Sequence, residues 1–341
     1  MRKLVSVRKI DNILPHPNAD LLELAVVGGW QTIVQKGKHM VGELVAYFEV
    51  DSVLPVVPQY EFLRKGCYIK KDWLESGEGF RLRTIKLRKE ISQGLVMGLK
   101  ELCLDLASAE EGNDITEVLG VVKYDPPVAA CMQGQARGNF PSFIPKTDQE
   151  RIQNCFNKVV GIDTLWEVSV KLEGSSMTIY KDLEGNWGVC SRNVDLKLNE
   201  DNSGNSFINM FNKLMATTRL NSLPNGTAIQ GELMGEGIQG NIERFNEHRF
   251  FVYDVFDITR QKYLTSEVRL ELVEVLELEH VPVVLKCADI QNVSLEDLLN
   301  MADGVSINAS RREGLVYKDI YNPANSFKTI SNDYLLHGKY L

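Results

Sequence analysis

The sequence contains no apolar run of the roughly 18 residues that a membrane-spanning helix requires, so no span is expected. Its start, Met1-Arg2-Lys3-Leu4-Val5-Ser6, moves straight into polar residues without a secretory apolar stretch, and a cytoplasmic or nuclear, non-secreted protein is expected. The six cysteines (67, 103, 131, 155, 190 and 287) are scattered and include no C-x-x-C pair, which excludes a zinc knuckle or disulfide framework and points to reduced thiols. No segment repeats at a period of 20–50 residues, and none is low-complexity. A surplus of positive charge is missing too. The net charge of −8 excludes a passive nucleic-acid coat but not an enzyme with a local basic surface. Within those limits, 341 residues with 44% hydrophobic and 25% charged composition are enough for two globular domains.

The first 122 residues are rich in short β-like runs, including Leu24-Ala25-Val26-Val27, Thr32-Ile33-Val34 and Leu44-Val45-Ala46-Tyr47-Phe48, with glycine turns between them. Such spacing predicts a small barrel or sandwich. Pro15-His16-Pro17-Asn18-Ala19-Asp20 is a turn by its chemistry, because proline fixes φ and Asn and Asp bond their own backbone. Between Phe62 and Lys89 stand nine basic residues against three acidic ones, interleaved with Phe62, Tyr68, Trp73 and Phe80. A basic groove with stacking rings fits nucleic acid, while an edge strand guarded by lysines is the plainer alternative. Residues 101–120 read as a short acidic helix and turn. Residues 123–139, with Pro126-Pro127, Gly134 and Gly138, read as a linker.

From residue 140 to 341 the pattern changes to strands near 165–170, 176–180, 187–191, 227–233 and 249–256, with helices near 205–219 and 266–279, the latter capped by Thr265. Strands with a few helices predict an α+β domain. In Trp166-Glu167-Val168-Ser169-Val170-Lys171, apolar and polar residues alternate, so Lys171 lies on the polar side of a strand that stops at Leu172-Glu173-Gly174-Ser175-Ser176. Taken alone, K-x-E-G also fits an exposed strand lysine beside a hairpin turn. Downstream, in order, come Ser191-Arg192-Asn193, Gly231-Glu232-Leu233-Met234-Gly235, Phe250-Phe251-Val252-Tyr253-Asp254, Glu313-Gly314-Leu315-Val316-Tyr317-Lys318 and Ser326-Phe327-Lys328-Thr329-Ile330-Ser331. Each is weak alone, and the ordered set is specific.

This set resembles the covalent nucleotidyltransferases, the polynucleotide ligases and mRNA capping enzymes, over residues 140–335. With an N-terminal OB-like module (residues 1–122, resembling those of tRNA-binding proteins), the chain is similar over nearly its whole length to the fifth family of ATP-dependent RNA ligases. DNA ligases generally carry a different lead-in and place the OB domain after the catalytic one. The fold implied is an all-β OB-type barrel followed by an α+β nucleotidyltransferase domain. The activity implied is ATP-dependent joining of RNA 3′-OH and 5′-phosphate ends, at nicks in duplexes, through a lysine–AMP adduct and a 5′-adenylylated RNA. ATP, Mg²⁺ or Mn²⁺, and RNA are the implied partners.

The resemblance implies Lys171 as nucleophile, with Lys328 as the cation that meets charge developing on the phosphate. A lysine has a free pKa of about 10.4, so such a site must favour the neutral amine. Arg151, in the Pro145–Asn154 lead-in, is implied at the phosphates. Arg192 and Glu232 are implied near the ribose, Phe250 at the adenine ring with Phe251 as the alternative, and Lys318 as a helper to Lys328. Glu173, Glu232 and Glu313 are the implied metal and nucleotide contacts, since hard divalent cations take oxygen ligands. Three residues depart from the family pattern: Glu173 stands where relatives carry Asp or His, Val170 where many carry Glu, and Ser326 where many carry Lys. Labelling by GTP would instead indicate a capping-type guanylyltransferase. A DNA ligase and a non-catalytic RNA-binding OB protein are the remaining alternatives.

Overall fold

The computed structural model describes residues 3–104, 109–125, 135–198 and 204–337. Within them the chain forms two compact units, one of residues 3–125 with 335–337, the other of residues 135–334. Among the described residues no helix is long and apolar enough to cross a membrane, and Cys67, Cys103, Cys155, Cys190 and Cys287 are all free thiols.

The first unit is built almost wholly of strands. In order they are β1 (Val5–Lys9), β2 (Asn12–Pro15), β3 (Leu22–Val27), β4 (Trp30–Gln35), β5 (Leu44–Phe48) and β6 (Ser52–Leu54). After the one-turn helix α1 (Arg64–Cys67) come β7 (Tyr68–Lys70), β8 (Glu78–Arg81), β9 (Ile85–Leu87), β10 (Glu90–Ser92), β11 (Leu95–Gly98) and β12 (Val122–Lys123). β5 lies between β1 and β11, β2–β3–β4 form a meander, β12–β6–β8–β7 a third sheet, and β9 pairs only with β10. Strand alternation makes β5 serve two cores: Ala46 and Phe48 pack with Val5, Leu54 and Phe80, whereas Val45 and Tyr47 pack with Val27, Trp30 and Val96. A strand buried on both faces is how a small barrel closes, in agreement with the expected all-β unit.

Of the four rings in the basic stretch, Phe80 is fully buried, Tyr68 lies under Arg64 at 4.7 Å, Trp73 packs edge-on against Tyr124 at 5.3 Å, and Phe62 is exposed. One expectation for this unit is corrected. No helix forms at 101–120 among the described residues: a single 3₁₀ turn, Leu99–Leu102, stops at left-handed Cys103. Farther on, the Asp114 carboxylate accepts from the Thr116 amide at 3.0 Å, a local side-chain bond that competes with a helix.

The second unit begins with β13 (Ala136–Asn139), β14 (Glu150–Arg151), α2 (Ile152–Val159), β15 (Trp166–Lys171), β16 (Ser175–Lys181), β17 (Trp187–Cys190) and β18 (Val194–Leu196). Then follow α3 (Ser206–Thr217), β19 (Thr227–Met234), β20 (Arg249–Asp257), β21 (Lys262–Tyr263), α4 (Ser266–Val275) and β22 (Glu279–His280). β23 (Val283–Ala288), α5 (Leu295–Asn300), β24 (Gly314–Asp319), β25 (Ser326–Ile330) and α6 (Asn332–His337) complete it, α6 crossing the boundary between units. One sheet runs β13-β18-β17-β16-β19-β20-β21 with β22 beside β20, and the other runs β14-β25-β24-β15-β23. This is the α+β domain expected.

Residues 123–139 are not a linker throughout: β12 takes in Lys123 and β13 starts at Ala136, each paired into its own sheet, and residues 126–134 lie outside the described residues. α4 stops at Val275 rather than near 279, because Glu277 turns left-handed at φ 57° and Glu279 enters a strand parallel to β20. Thr265 sits at the N-cap of α4 without a side-chain bond to it.

Candidate active site

Lys171 is the last residue of β15 and pairs with Gly314 of β24, directly after Glu313. This register brings Lys171 Nζ to 2.7 Å from Glu313 Oε2, although 142 positions separate them in the sequence. Both glycines beside this pair are dictated by crowding. A Cβ on Gly314 would lie 2.0 Å from the Thr329 carbonyl oxygen, and one on Gly174 would lie 2.5 Å from the Leu233 carbonyl oxygen and 2.8 Å from Glu232 Cγ. The Gly174 amide donates to the Glu232 carboxylate. The glycine of K-x-E-G therefore locks the lysine strand to the G-E-L strand.

Lys328 is paired with Val316 of β24 on one side and with Arg151 of β14 on the other, and Val316 is paired with Ser169. Paired residues share a face, so Arg151, Lys328 and Lys171 stand on one face of the five-stranded sheet. Burial, then the Lys171 and Arg151 cations, pull the Lys328 ammonium down to about 7, against Asp148 and Glu313. Glu232 responds in the opposite sense. Burial pushes its carboxyl up to about 8, Glu313 adds to the rise, and Lys171, the Gly174 amide and Arg192 oppose it. Arg192 itself is exposed and pairs with Asp148 at 2.8 Å.

Other sequence-level candidates lie elsewhere. Phe250 is a core residue: its ring packs with Leu233 and Val252, and a Cβ on Gly231 would meet it at 2.6 Å. Glu232 pairs with Phe251 while Leu233 pairs with Phe250, so the alternation of β20 turns Phe250 to the face opposite Glu232. Phe251 and Tyr253 occupy the Glu232 face. Phe251 stacks on Phe245 at 5.9 Å, and the Tyr253 hydroxyl bonds with Ser176 Oγ at 3.0 Å and Thr147 Oγ1 at 2.9 Å.

Lys318 also leaves the site. It lies four residues along β24 from Gly314, which is about 13 Å at strand rise. There Lys318 Nζ is buried against Asp254 Oδ1 at 2.7 Å and donates to the Tyr253 carbonyl at 2.6 Å. Its neighbours include the buried Glu167–Arg269 pair, with His280 accepting from Arg269 Nε at 3.1 Å. Glu173 is 4% exposed, its Oε1 accepting from the Gly240 amide at 3.3 Å and its Oε2 buried without a partner.

Among the described residues no three His, Cys, Asp or Glu side chains come together as a metal-holding group, so Glu173, Glu232 and Glu313 do not form one cluster. Glu232 and Glu313 are oxygen donors that both interact with Lys171, the donor type a hard divalent cation takes. Sequence reasoning missed Tyr253, Ser176 and Thr147. Counting by twos along β20 from the aspartate would have separated Tyr253 from Phe250, but not told which face meets Glu232.

Comparison with known proteins identifies relatives of both units. An OB-fold domain family model matches residues 4–99, and the RNA ligase family model matches residues 164–330. A lysine-to-alanine variant of Naegleria gruberi RNA ligase with ATP and manganese is 37% identical, with a TM-score of 0.83 and 98% of each chain covered. A lysine-to-methionine variant of that ligase with AMP and manganese gives the same identity, TM-score and coverage, and the pyrophosphate complex superposes with a TM-score of 0.81 at 37% identity and 98% coverage of each chain. No curated protein sequence matches. With an OB-fold unit followed by a nucleotidyltransferase unit, and a relative more than one-third identical along its length, the chain belongs to the RNA ligase family.

Proposed function

We propose that this polynucleotide ligase uses ATP to join an RNA 3′-OH to an RNA 5′-phosphate at nicks in duplexes. The observation that carries the reading is the Lys171–Glu313 pair at 2.7 Å beside Lys328, Arg151 and Glu232. In the first step the ion pair opens, Lys171 Nζ gives its proton to solvent, and its lone pair forms a P–N bond to the α-phosphorus of ATP as the bond to pyrophosphate breaks. In the second, an RNA 5′-phosphate oxygen attacks the AMP phosphorus, the P–N bond breaks, and Lys171 leaves as the amine. In the third, the 3′-OH attacks the activated phosphate, its proton passes to solvent, and AMP departs. Each step builds negative charge on a phosphate, and Lys328 and Arg151 are fixed where a cation lowers its cost.

Relatives hold ATP or AMP with manganese, which supports ATP and a divalent cation here. Glu232 and Glu313 would hold that cation, which supplies further positive charge to the phosphates. Tyr253, on the Glu232 face, is proposed as the aromatic group nearest the base, and Arg192 as a ribose or phosphate contact. Glu173 is proposed to hold the Gly240 turn.

The test is incubation with α-³²P-ATP or α-³²P-GTP and Mg²⁺, followed by sealing assays on singly nicked RNA and DNA duplexes. The expected result is a covalent label from ATP alone, absent in Lys171→Ala, and sealing where RNA supplies the 3′-OH. Labelling by GTP moves the protein to capping chemistry. Sealing of all-DNA nicks at equal rate makes it a DNA ligase. No label from either nucleotide on a folded protein favours a binding protein.

A further inference from the structure

The β9–β10 hairpin projects from the flank of β4. Its two strands form a ladder only with each other, through Leu87 with Glu90, Lys86 with Ile91 and Ile85 with Ser92, while Gln31 Nε2 donates to the Ile91 carbonyl at 2.9 Å and the Ile33 amide to Ser92 Oγ at 3.0 Å. That leaves a two-residue turn, Arg88-Lys89, with φ of 49° and 76°. Positive φ at both positions is the mark of a type I′ turn, for which Asn-Gly is the strongly preferred sequence. Arg and Lys carry Cβ atoms that the left-handed region disfavours. Local propensity therefore opposes the residues found at the tip, and backbone strain of this kind persists only where the surroundings over-determine it.

The surroundings do so. Asn18 Nδ2 donates to the Arg88 carbonyl at 3.0 Å. His16, 6% exposed, accepts from the Asn18 amide at Nδ1 at 3.1 Å, which leaves Nε2 to donate to the Leu87 carbonyl at 3.3 Å. The Pro15–Asp20 turn is thus a brace under the hairpin. It uses the backbone of Leu87 and Arg88 and leaves the Arg88 and Lys89 side chains exposed. Exposed Arg83 stands at the base of the hairpin, within a stretch whose positive surplus runs against the net charge of −8.

We infer that the Arg88-Lys89 tip is a phosphate-contacting finger of the OB-fold unit, gripping the backbone of the RNA substrate without reading its bases. The assignment rests on the reading of RNA as substrate given above. The chemistry recognised is the phosphodiester backbone: two fixed cations on a braced turn offer charge and position but no base-specific edge.

The variant R88N/K89G tests this cleanly, because it installs the sequence that the turn favours while removing both charges. Binding of fluorescein-labelled, singly nicked duplex RNA is followed by anisotropy across a salt series, with Lys171 adenylylation by ATP as a second readout. Two lost phosphate contacts are expected to weaken binding about tenfold at low salt and to flatten the log K against log salt slope by about 1.5. Adenylylation is expected to be unchanged and thermal stability unchanged or raised. The charge-keeping variant R88K/K89R is expected to retain both affinity and slope. Wild-type affinity and slope in R88N/K89G, with wild-type protein both adenylylated and RNA-bound, would overturn the finger alone. Wild-type protein that neither adenylylates nor binds RNA would overturn the functional reading with it.

Discussion

The region around Lys171 and the buried region around Asp254 each hold a lysine of adjacent strands, Lys328 and Lys318, on the same face of one sheet. Lys318 meets a carboxylate at 2.7 Å and a backbone carbonyl at 2.6 Å. Burial lowers its proton affinity, and Asp254 counters the effect. Burial, then Lys171 and Arg151, pull Lys328 down to about 7, with Asp148 and Glu313 opposing them. A buried lysine with a carboxylate at 2.7 Å is part of the framework, whereas a half-buried lysine crowded by two cations suits an anion from outside. Perturbation by burial together with like charge is what marks a functional group. The two lysines look alike in sequence and differ in what faces them.

Four results would break or sharpen that contrast. Lys171→Ala is expected to abolish covalent labelling by ATP, since no other described lysine stands at that strand end; a labelled mutant protein would remove Lys171 from the chemistry. Lys318→Met should destabilise the fold by about 3–5 kcal/mol, because Asp254 is left buried without its partner. Chemical denaturation measures this, and normal stability with lost activity would make Lys318 a site residue after all.

Lys328→Met should slow adenylylation by about 10²–10³-fold, the cost typical of losing one electrostatic contact to a transition state, without loss of stability. The folded ammonium titrates near 7, against 10.5 for the ordinary group. Between those values the unfolded chain binds more protons, so this lysine makes the wild-type fold gain stability as pH rises from about 7 toward 10.5, and at lower pH its cost is constant. Removing it should erase that rise, and a melting series across pH shows whether it does. The smallest effect is at His280. Burial and Arg269 pull its imidazole down to about 3 from 6.5. The neutral ring is therefore favoured in the fold, and stability from this group falls as pH drops from 6.5 toward 3. NMR titration of the ring is the check. A midpoint near 6.5 would mean that the Arg269–Glu167–His280 network is open to solvent.

Much of this was legible in the chain. Trp166 to Lys171 alternates cleanly, and β15 ends at Lys171 as its sequence indicates. The ordered motifs named Glu232, Glu313 and Lys328, which the fold brings near Lys171. Phe250 misled because β20 is apolar on both faces, and a period of two says that neighbours alternate without saying which side holds the site. Lys318 misled because E-G-L-V-Y-K places it near Glu313 in sequence, whereas strand rise carries it away. The acidic stretch at 101–120 looked helical by composition, yet Asp114 and Thr116 bond locally instead.

The sequence by itself determined the family and the division into a β unit and an α+β unit, because these rest on local order: strand periodicity, turn residues and motifs in succession. Register belonged to the tertiary structure. It set Gly314 opposite Lys171, Glu232 opposite Phe251, Lys318 against Asp254, and Arg88-Lys89 into a turn their own propensity opposes. The physical reason is that hydrogen-bonded pairing between distant strands fixes which side chains share a face, and a one-residue slip would exchange every one of them.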